Sequence, residues 1–117
     1  MTELSVLIPV FNFDVRRLAD ELSGCLEVMD RKIEIIFADD NSTDSLLKKQ
    51  NADHIRHQKN IEIIEREENL GFCENRNELA RNGKGEYLLF LDADVRIPHQ
   101  NFLKNWLDIL PQSSFLC

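Results

Sequence analysis

The sequence predicts a doubly wound α/β domain, a mainly parallel sheet with helices on both faces. Three observations carry that prediction. Apolar, β-branched runs alternate with segments of helical period, in the order strand, helix, strand, helix, strand, helix, strand. The run Tyr87-Leu88-Leu89-Phe90-Leu91 has no polar face, as in a strand buried inside a parallel sheet. Acid pairs follow two of the strands, at Asp39-Asp40 and at Asp92-Ala93-Asp94. That end of a parallel sheet is where open α/β folds bind ligands.

Each element has its own signal. Leu4-Ser5-Val6-Leu7-Ile8 reads as the first strand, closed by Pro9, which cannot donate to a ladder. Asn12 or Asp14 can cap the helix that follows. Val15, Leu18, Leu22, Cys25, Leu26 and Met29 recur at helical spacing, so that helix is expected over 14–29. Ile33-Glu34-Ile35-Ile36-Phe37-Ala38 is the second strand. Ser42, Thr43 or Asp44 then caps a helix carrying Leu46 and Leu47, and the polar stretch from about Gln50 to Asn60 is ambiguous. Ile61-Glu62-Ile63-Ile64-Glu65 is the third strand. Glu68-Asn69-Leu70-Gly71 makes a turn into a helix over 73–82, stopped by Gly83. After the fourth strand, Pro98 and Asn101 open a helix bearing Phe102, Leu103, Trp106, Leu107 and Leu110, which Pro111 ends. Phe115-Leu116-Cys117 reads as the start of another strand, so the domain is expected to be truncated.

Composition narrows the function. The net charge of −7 disfavours nucleic acid, whose backbone wants a basic face. An acidic chain still binds phosphates where a metal supplies the positive charge. No apolar run approaches the ~20 residues of a membrane span. No basic and apolar leader precedes the first strand, so a cytoplasmic location is expected. Cys25, Cys73 and Cys117 form no C-x-x-C pair and read as reduced, mostly buried thiols. His54 and His57 lie in a polar, basic stretch and read as solvated.

The acids carry the chemistry. Asp92 and Asp94 are costly to hold close together unless a cation sits between them, which points to a divalent metal or a cationic partner. Asp39-Asp40-Asn41-Ser42 should share their sheet edge. Loop and cap chemistry explains Ser42, Thr43 and Asp44 there, but it explains two adjacent acids poorly. Three other α/β patterns fit less well. A dinucleotide fold needs glycines after the first strand, where this chain has Pro9-Val10-Phe11-Asn12-Phe13. A phosphoacceptor receiver places its acids after the first strand. A haloacid-dehalogenase-type phosphatase wants Thr or Val where Arg96 stands, and only 23 residues follow Asp94.

One pattern takes in all the pieces. Ser5 to Asn12, Ile36 to Asp44, Asn69-Leu70-Gly71-Phe72, Arg76-Asn77, Gly85-Glu86-Tyr87 and Asp92-Ala93-Asp94 follow one another in that order. In order and spacing the chain resembles the nucleotide-sugar-binding, N-terminal half of family 2 glycosyltransferases, over nearly its whole length. The resemblance implies a GT-A, Rossmann-like fold, with residues 1–117 forming the donor-binding portion and the acceptor half absent. It implies that Pro9, Val10 and Asn12 line the base pocket. Asp40, with Asp39 as a second contact, would meet the uracil or thymine ring. Gly71 would allow a tight turn. Arg76 would lie near the base or the diphosphate, a solvated helix residue being the plain alternative. Asp92 would lie near the ribose, and Asp94, with Asp92, would hold Mg²⁺ or Mn²⁺.

The resemblance further implies an inverting, metal-dependent enzyme. It would move a sugar from a nucleoside-diphosphate sugar, of UDP or dTDP type, to a hydroxyl on a glycan or lipid-linked acceptor. An intact enzyme of this kind is expected in the cytoplasm or at the inner face of the membrane. The general base is not in this chain: Asp108 is the only acid beyond Pro98, and it falls in an amphipathic helix. The isolated chain is therefore expected to be inactive. The alternative is a non-catalytic nucleotide-binding or oligomerising module, with Phe115-Leu116 favouring self-association.

Overall fold

The computed structural model describes residues 1–110. The expected Phe115–Cys117 strand and the Pro111 stop lie outside them. Eight elements follow in order: β1 Leu4–Val10, α1 Arg16–Glu27, β2 Ile33–Asp39, α2 Ser45–Ile55, β3 Ile61–Glu65, α3 Phe72–Asn82, β4 Tyr87–Phe90 and α4 Phe102–Ile109. The strands form one sheet in the order β3-β2-β1-β4. Every pairing is parallel, with Val10 level with Asp39, Asp39 level with Glu65, and Leu7 level with Phe90.

The two faces separate by residue parity, because successive strand side chains point to opposite faces. Leu4, Val6, Ile8 and Val10 of β1 and Ile33, Ile35 and Phe37 of β2 pack on one face. There they meet Leu18, Leu22 and Cys25 of α1, Ile55 of α2 and Leu103 and Leu107 of α4. Leu7, Ile36 and Ala38 face the other way, onto Leu79 of α3 with Ile64 and Phe90 beside them. Helices thus cover both faces, as a doubly wound sheet requires.

The fourth strand differs from its sequence pattern. It was expected to be buried; among the described residues it pairs with β1 alone, and Leu88 is 42% exposed. Tyr87, Leu89 and Leu91 reach the larger core cluster and Phe90 the smaller one. The entry to this strand is tightly set: a Cβ on Gly85 would lie 2.5 Å from the backbone nitrogen of Ser5. The Gly85 N–H donates to Ser5 Oγ at 2.8 Å, and Ser5 Oγ in turn donates to Glu34.

The helices shift at their ends. α1 ends at Glu27 rather than Met29, and its start has no side-chain cap at Val15. Asp14 instead accepts the Arg16 N–H and pairs with the Arg16 guanidinium. α2 runs through the segment that was ambiguous, capped by Asp44, whose side chain accepts the Leu47 N–H. Its buried face is Asn51, Ala52 and Ile55, not Leu46 and Leu47. Asn51 looks polar in sequence because its carboxamide is used inside the fold. It accepts the Val15 N–H and donates to the Phe13 carbonyl. On α4, Leu103 and Leu107 are buried while Trp106 stays substantially exposed. Cys25 is buried, but Cys73 is exposed, against the expectation of mostly buried thiols. His54 sits 2.7 Å from Asp20 on the surface.

Candidate functional site

The C-terminal edge of the sheet gathers the loops after β1, β2, β3 and β4. Asp39 ends β2 and Asp40 follows it directly, yet the two side chains bond to different partners. Both are buried, at 1% and 4% exposure. Asp39 accepts the Ser42 N–H at 2.9 Å and the Ser42 hydroxyl at 2.6 Å. Asp40 reaches 30 residues along the chain, accepting the Leu70 N–H at 2.7 Å and the Gly71 N–H at 3.0 Å. Asn69 Nδ2 returns a bond to the Asp40 carbonyl at 3.0 Å, and the Asp40 N–H donates to Val10. Each carboxylate therefore has its own backbone donors, which removes the difficulty of two neighbouring acids. Sequence pattern did not foresee this division.

Asp40 thus clasps the turn before α3 to the end of β1. Gly71 holds φ of 88° at the start of α3, a conformation that favours glycine. Between these parts lies a cavity of about 300 Å³, bordered by Pro9, Val10, Phe11, Asp40, Asn69, Gly71, Phe72 and Asn75. Phe11 and Phe72 are largely exposed. Neither was singled out from sequence, since an aromatic residue in a loop carries no period. Asn75 is buried, donating to the Ala38 carbonyl and accepting from Arg66 Nε.

Asn12 is beside the cavity but is not among the residues that border it. Its φ is 49°. Its N–H donates to Ser42 Oγ, its Nδ2 to Thr43 Oγ1, and its Oδ1 accepts the Asp44 N–H. Asn12 therefore stitches the β1 and β2 exits together.

Asp92 and Asp94 follow β4 in a turn closed by the Val95 N–H on the Asp92 carbonyl, and both are exposed. Among the described residues neither carboxylate has a salt bridge or a side-chain hydrogen bond. Asp94 borders a second cavity of about 540 Å³ on the α1 side, with Phe13, Arg17 and Arg96. The structure thus puts Asp40 and Asp94 on one sheet edge but in different cavities. Among the described residues no three His, Cys, Asp or Glu side chains converge as a metal cage. Two free carboxylates suit a hard divalent cation that takes its remaining ligands from phosphates and water. Arg76 is exposed on α3, with its guanidinium carbon 4.3 Å from the centre of the Phe90 ring. A larger cavity, near 1040 Å³, opens at the opposite edge of the sheet beside Glu3, Asp20, Lys32 and Asn60, and is bordered by none of these site residues.

The parallel sheet with helices on both faces is an α/β fold, and the solved structures it matches are glycosyltransferases of the GT-A type. TarS residues 1–349 of Staphylococcus aureus in complex with UDP-GlcNAc superpose with a TM-score of 0.69, at 26% identity, over 95% of this chain and 32% of that one. Glucosyl-3-phosphoglycerate synthase of Mycobacterium tuberculosis, in complex with Mn²⁺, UDP and glucosyl-3-phosphoglycerate, shares the fold. It matches 97% of this chain and 41% of its own, with a TM-score of 0.71 at 21% identity. The model of glycosyl transferase family 2 matches residues 5–112, and the chain belongs to that family. A poly(ribitol-phosphate) β-glucosyltransferase of Bacillus spizizenii is 35% identical over 109 residues, 87% of this chain. A dolichol-phosphate mannosyltransferase of Saccharomyces cerevisiae is 32% identical over 106 residues, again 87%. The chain spans 16% and 39% of the lengths of those two relatives.

Proposed function

We propose that this chain supplies the donor site of a glycosyltransferase that moves a sugar from a nucleoside-diphosphate sugar to an acceptor hydroxyl with inversion. The observation that carries the proposal is the Asp40 clasp. It frames a cavity of about 300 Å³ from the ends of β1 and β2 and the turn before α3, on the same sheet edge as Asp92 and Asp94, which have no salt bridge among the described residues. Family membership and the UDP, UDP-GlcNAc and Mn²⁺ complexes of similar structures support it.

In this reading Pro9 and Val10 form one wall of the base site. The Asp40 carboxylate keeps lone pairs beyond its two backbone bonds, and those accept a ring N–H of uracil or thymine. Asp39 shapes the loop from beneath, and Asn12 keeps the β1 loop in register. Gly71 brings backbone close to the ligand, Asp92 reaches the ribose, and Arg76 faces the diphosphate. Asp94, with Asp92, would hold Mg²⁺ or Mn²⁺, which as a Lewis acid stabilises negative charge on the leaving diphosphate. Inversion also needs a base at the acceptor hydroxyl. Asp108 is spent on Arg31 and Lys104, so the base is assigned to sequence outside this chain. The acceptor is a glycan or lipid-linked hydroxyl.

No helix among the described residues is long and apolar enough to cross a membrane. We place the parent enzyme in the cytoplasm or at the inner membrane face.

Calorimetry with UDP, dTDP and GDP, with and without Mn²⁺, tests the donor site. UDP or dTDP binding that strengthens with Mn²⁺, and loses at least about tenfold of that gain in Asp94→Asn, is expected. Metal-independent binding unchanged in that variant would remove Asp94 from the site. Sugar transfer by the full-length parent separates an enzyme from a nucleotide-binding module.

A further inference from the structure

Arg76 is exposed on α3, yet it is not loose. Its guanidinium lies 4.3 Å from the Phe90 ring centre, within cation–π range. Among the described residues it makes no ion pair, although the chain carries a large excess of acids. Nearby Arg81 shows the usual fate of such a side chain, pairing with Glu74 and Glu78. An ion pair consumes guanidinium donors. An aromatic platform takes only the face and leaves the five N–H groups around the rim free for planar, bidentate contact with phosphate oxygens.

Phe90 is itself fixed. It ends β4 level with Leu7 and packs in the smaller core cluster with Leu79, which lies three residues beyond Arg76 on α3. Two residues after Phe90 comes Asp92. The platform therefore belongs to the strand that carries the acid pair, and it ties the position of Arg76 to theirs.

We propose that Phe90 is a positioning residue. Its ring holds the Arg76 guanidinium, donors free, over the end of β4 for the diphosphate of the nucleotide. This rests on the reading of Arg76 as a phosphate contact. An aliphatic side chain at 90 keeps the core filled but removes the π face. Arg76 must then be ordered by the ligand itself, at the cost of side-chain entropy.

The test is calorimetry at constant Mn²⁺ with UDP and, separately, with uridine, which has the base and ribose but no phosphate. Phe90→Leu is expected to weaken UDP binding roughly two- to five-fold and leave uridine unchanged. Phe90→Tyr should restore UDP binding. Arg76→Ala should weaken UDP, and adding Phe90→Leu to it should change nothing more. If Arg76→Ala weakens UDP but Phe90→Leu does not, the positioning role is wrong and the phosphate contact stands. If Arg76→Ala leaves UDP unchanged, the phosphate contact fails and the proposal with it. Equal losses for UDP and uridine in Phe90→Leu, or a further loss in the Arg76→Ala background, would also overturn it, since Phe90 would then act through the fold. Should Phe90→Leu not fold, NMR of the unaltered chain decides. The Arg76 Hε resonance should be ring-current shifted upfield and should move with UDP but not with uridine; an unshifted resonance rejects the platform.

Discussion

Asp40→Asn should damage both stability and nucleotide binding, and the structure says by how much. The carboxylate accepts two backbone N–H groups, from Leu70 at 2.7 Å and Gly71 at 3.0 Å, at 4% exposure. A carboxamide of the same shape offers one oxygen. Its NH₂ must then face a second N–H, so one charge-assisted bond is lost and one donor is orphaned. Such a loss costs about 1.5–3 kcal/mol. With a urea slope near ~1.5 kcal/mol/M, the unfolding midpoint should fall by about 1–2 M. Circular dichroism in urea measures this, with exposed Asp30→Asn as the control, expected within about 0.5 kcal/mol of the unaltered chain. The turn at 69–71 is held to β2 by this carboxylate, so UDP affinity should fall alongside, even at temperatures where the variant is fully folded. A midpoint and a UDP affinity both equal to those of the unaltered chain would refute the clasp.

Three further outcomes are expected. Gly85→Ala places a methyl group 2.5 Å from the Ser5 nitrogen and must push β4 from β1, with an expected loss of about 1–3 kcal/mol in the same urea experiment. Arg31 bonds Glu3 and holds its carboxyl below the ordinary value of 4.5. A lowered carboxylate stabilises above its unfolded pKa and loses that contribution as pH falls through the folded one. Melting curves of Arg31→Ala should therefore lie below those of the unaltered chain at neutral pH and converge with them in acid; a constant gap would show that the pair does not titrate. Burial raises the pKa of the Cys25 thiol, so alkylation followed by mass spectrometry should label exposed Cys73 in the native protein and Cys25 only after unfolding.

Some elements were legible because their signals are local. The third strand falls at Ile61–Glu65 as its pattern predicts, and the second is one residue longer than expected. Helix α3 begins one residue early, since Gly71 rather than a polar cap opens it. Helix α2 was half missed because Asn51, buried and hydrogen-bonded to the β1–α1 loop, breaks the apolar period. Pro9, Val10, Asp40 and Gly71, far apart in sequence, border one cavity. Asn12 and Asp39 also hydrogen-bond within the neighbouring loops. Phe90 was read as a core residue of a buried strand, and its contact with Arg76 spans two elements that no sequence window joins.

The amino-acid sequence by itself determined the alternation of strands and helices, the parallel class of the sheet and the gathering of acids at its C-terminal edge. These follow from periodicity and capping, which act over a few residues and are written in neighbouring side chains. Only the tertiary structure decided that β4 lies beside β1, that adjacent Asp39 and Asp40 serve different loops, and that Asp40 and Asp94 border separate cavities. Apart from the local Asp39–Ser42 bonds, those outcomes depend on hydrogen bonds and packing between segments about thirty or more residues apart. Their partners are chosen by the order in which strands assemble, and no local pattern encodes that order.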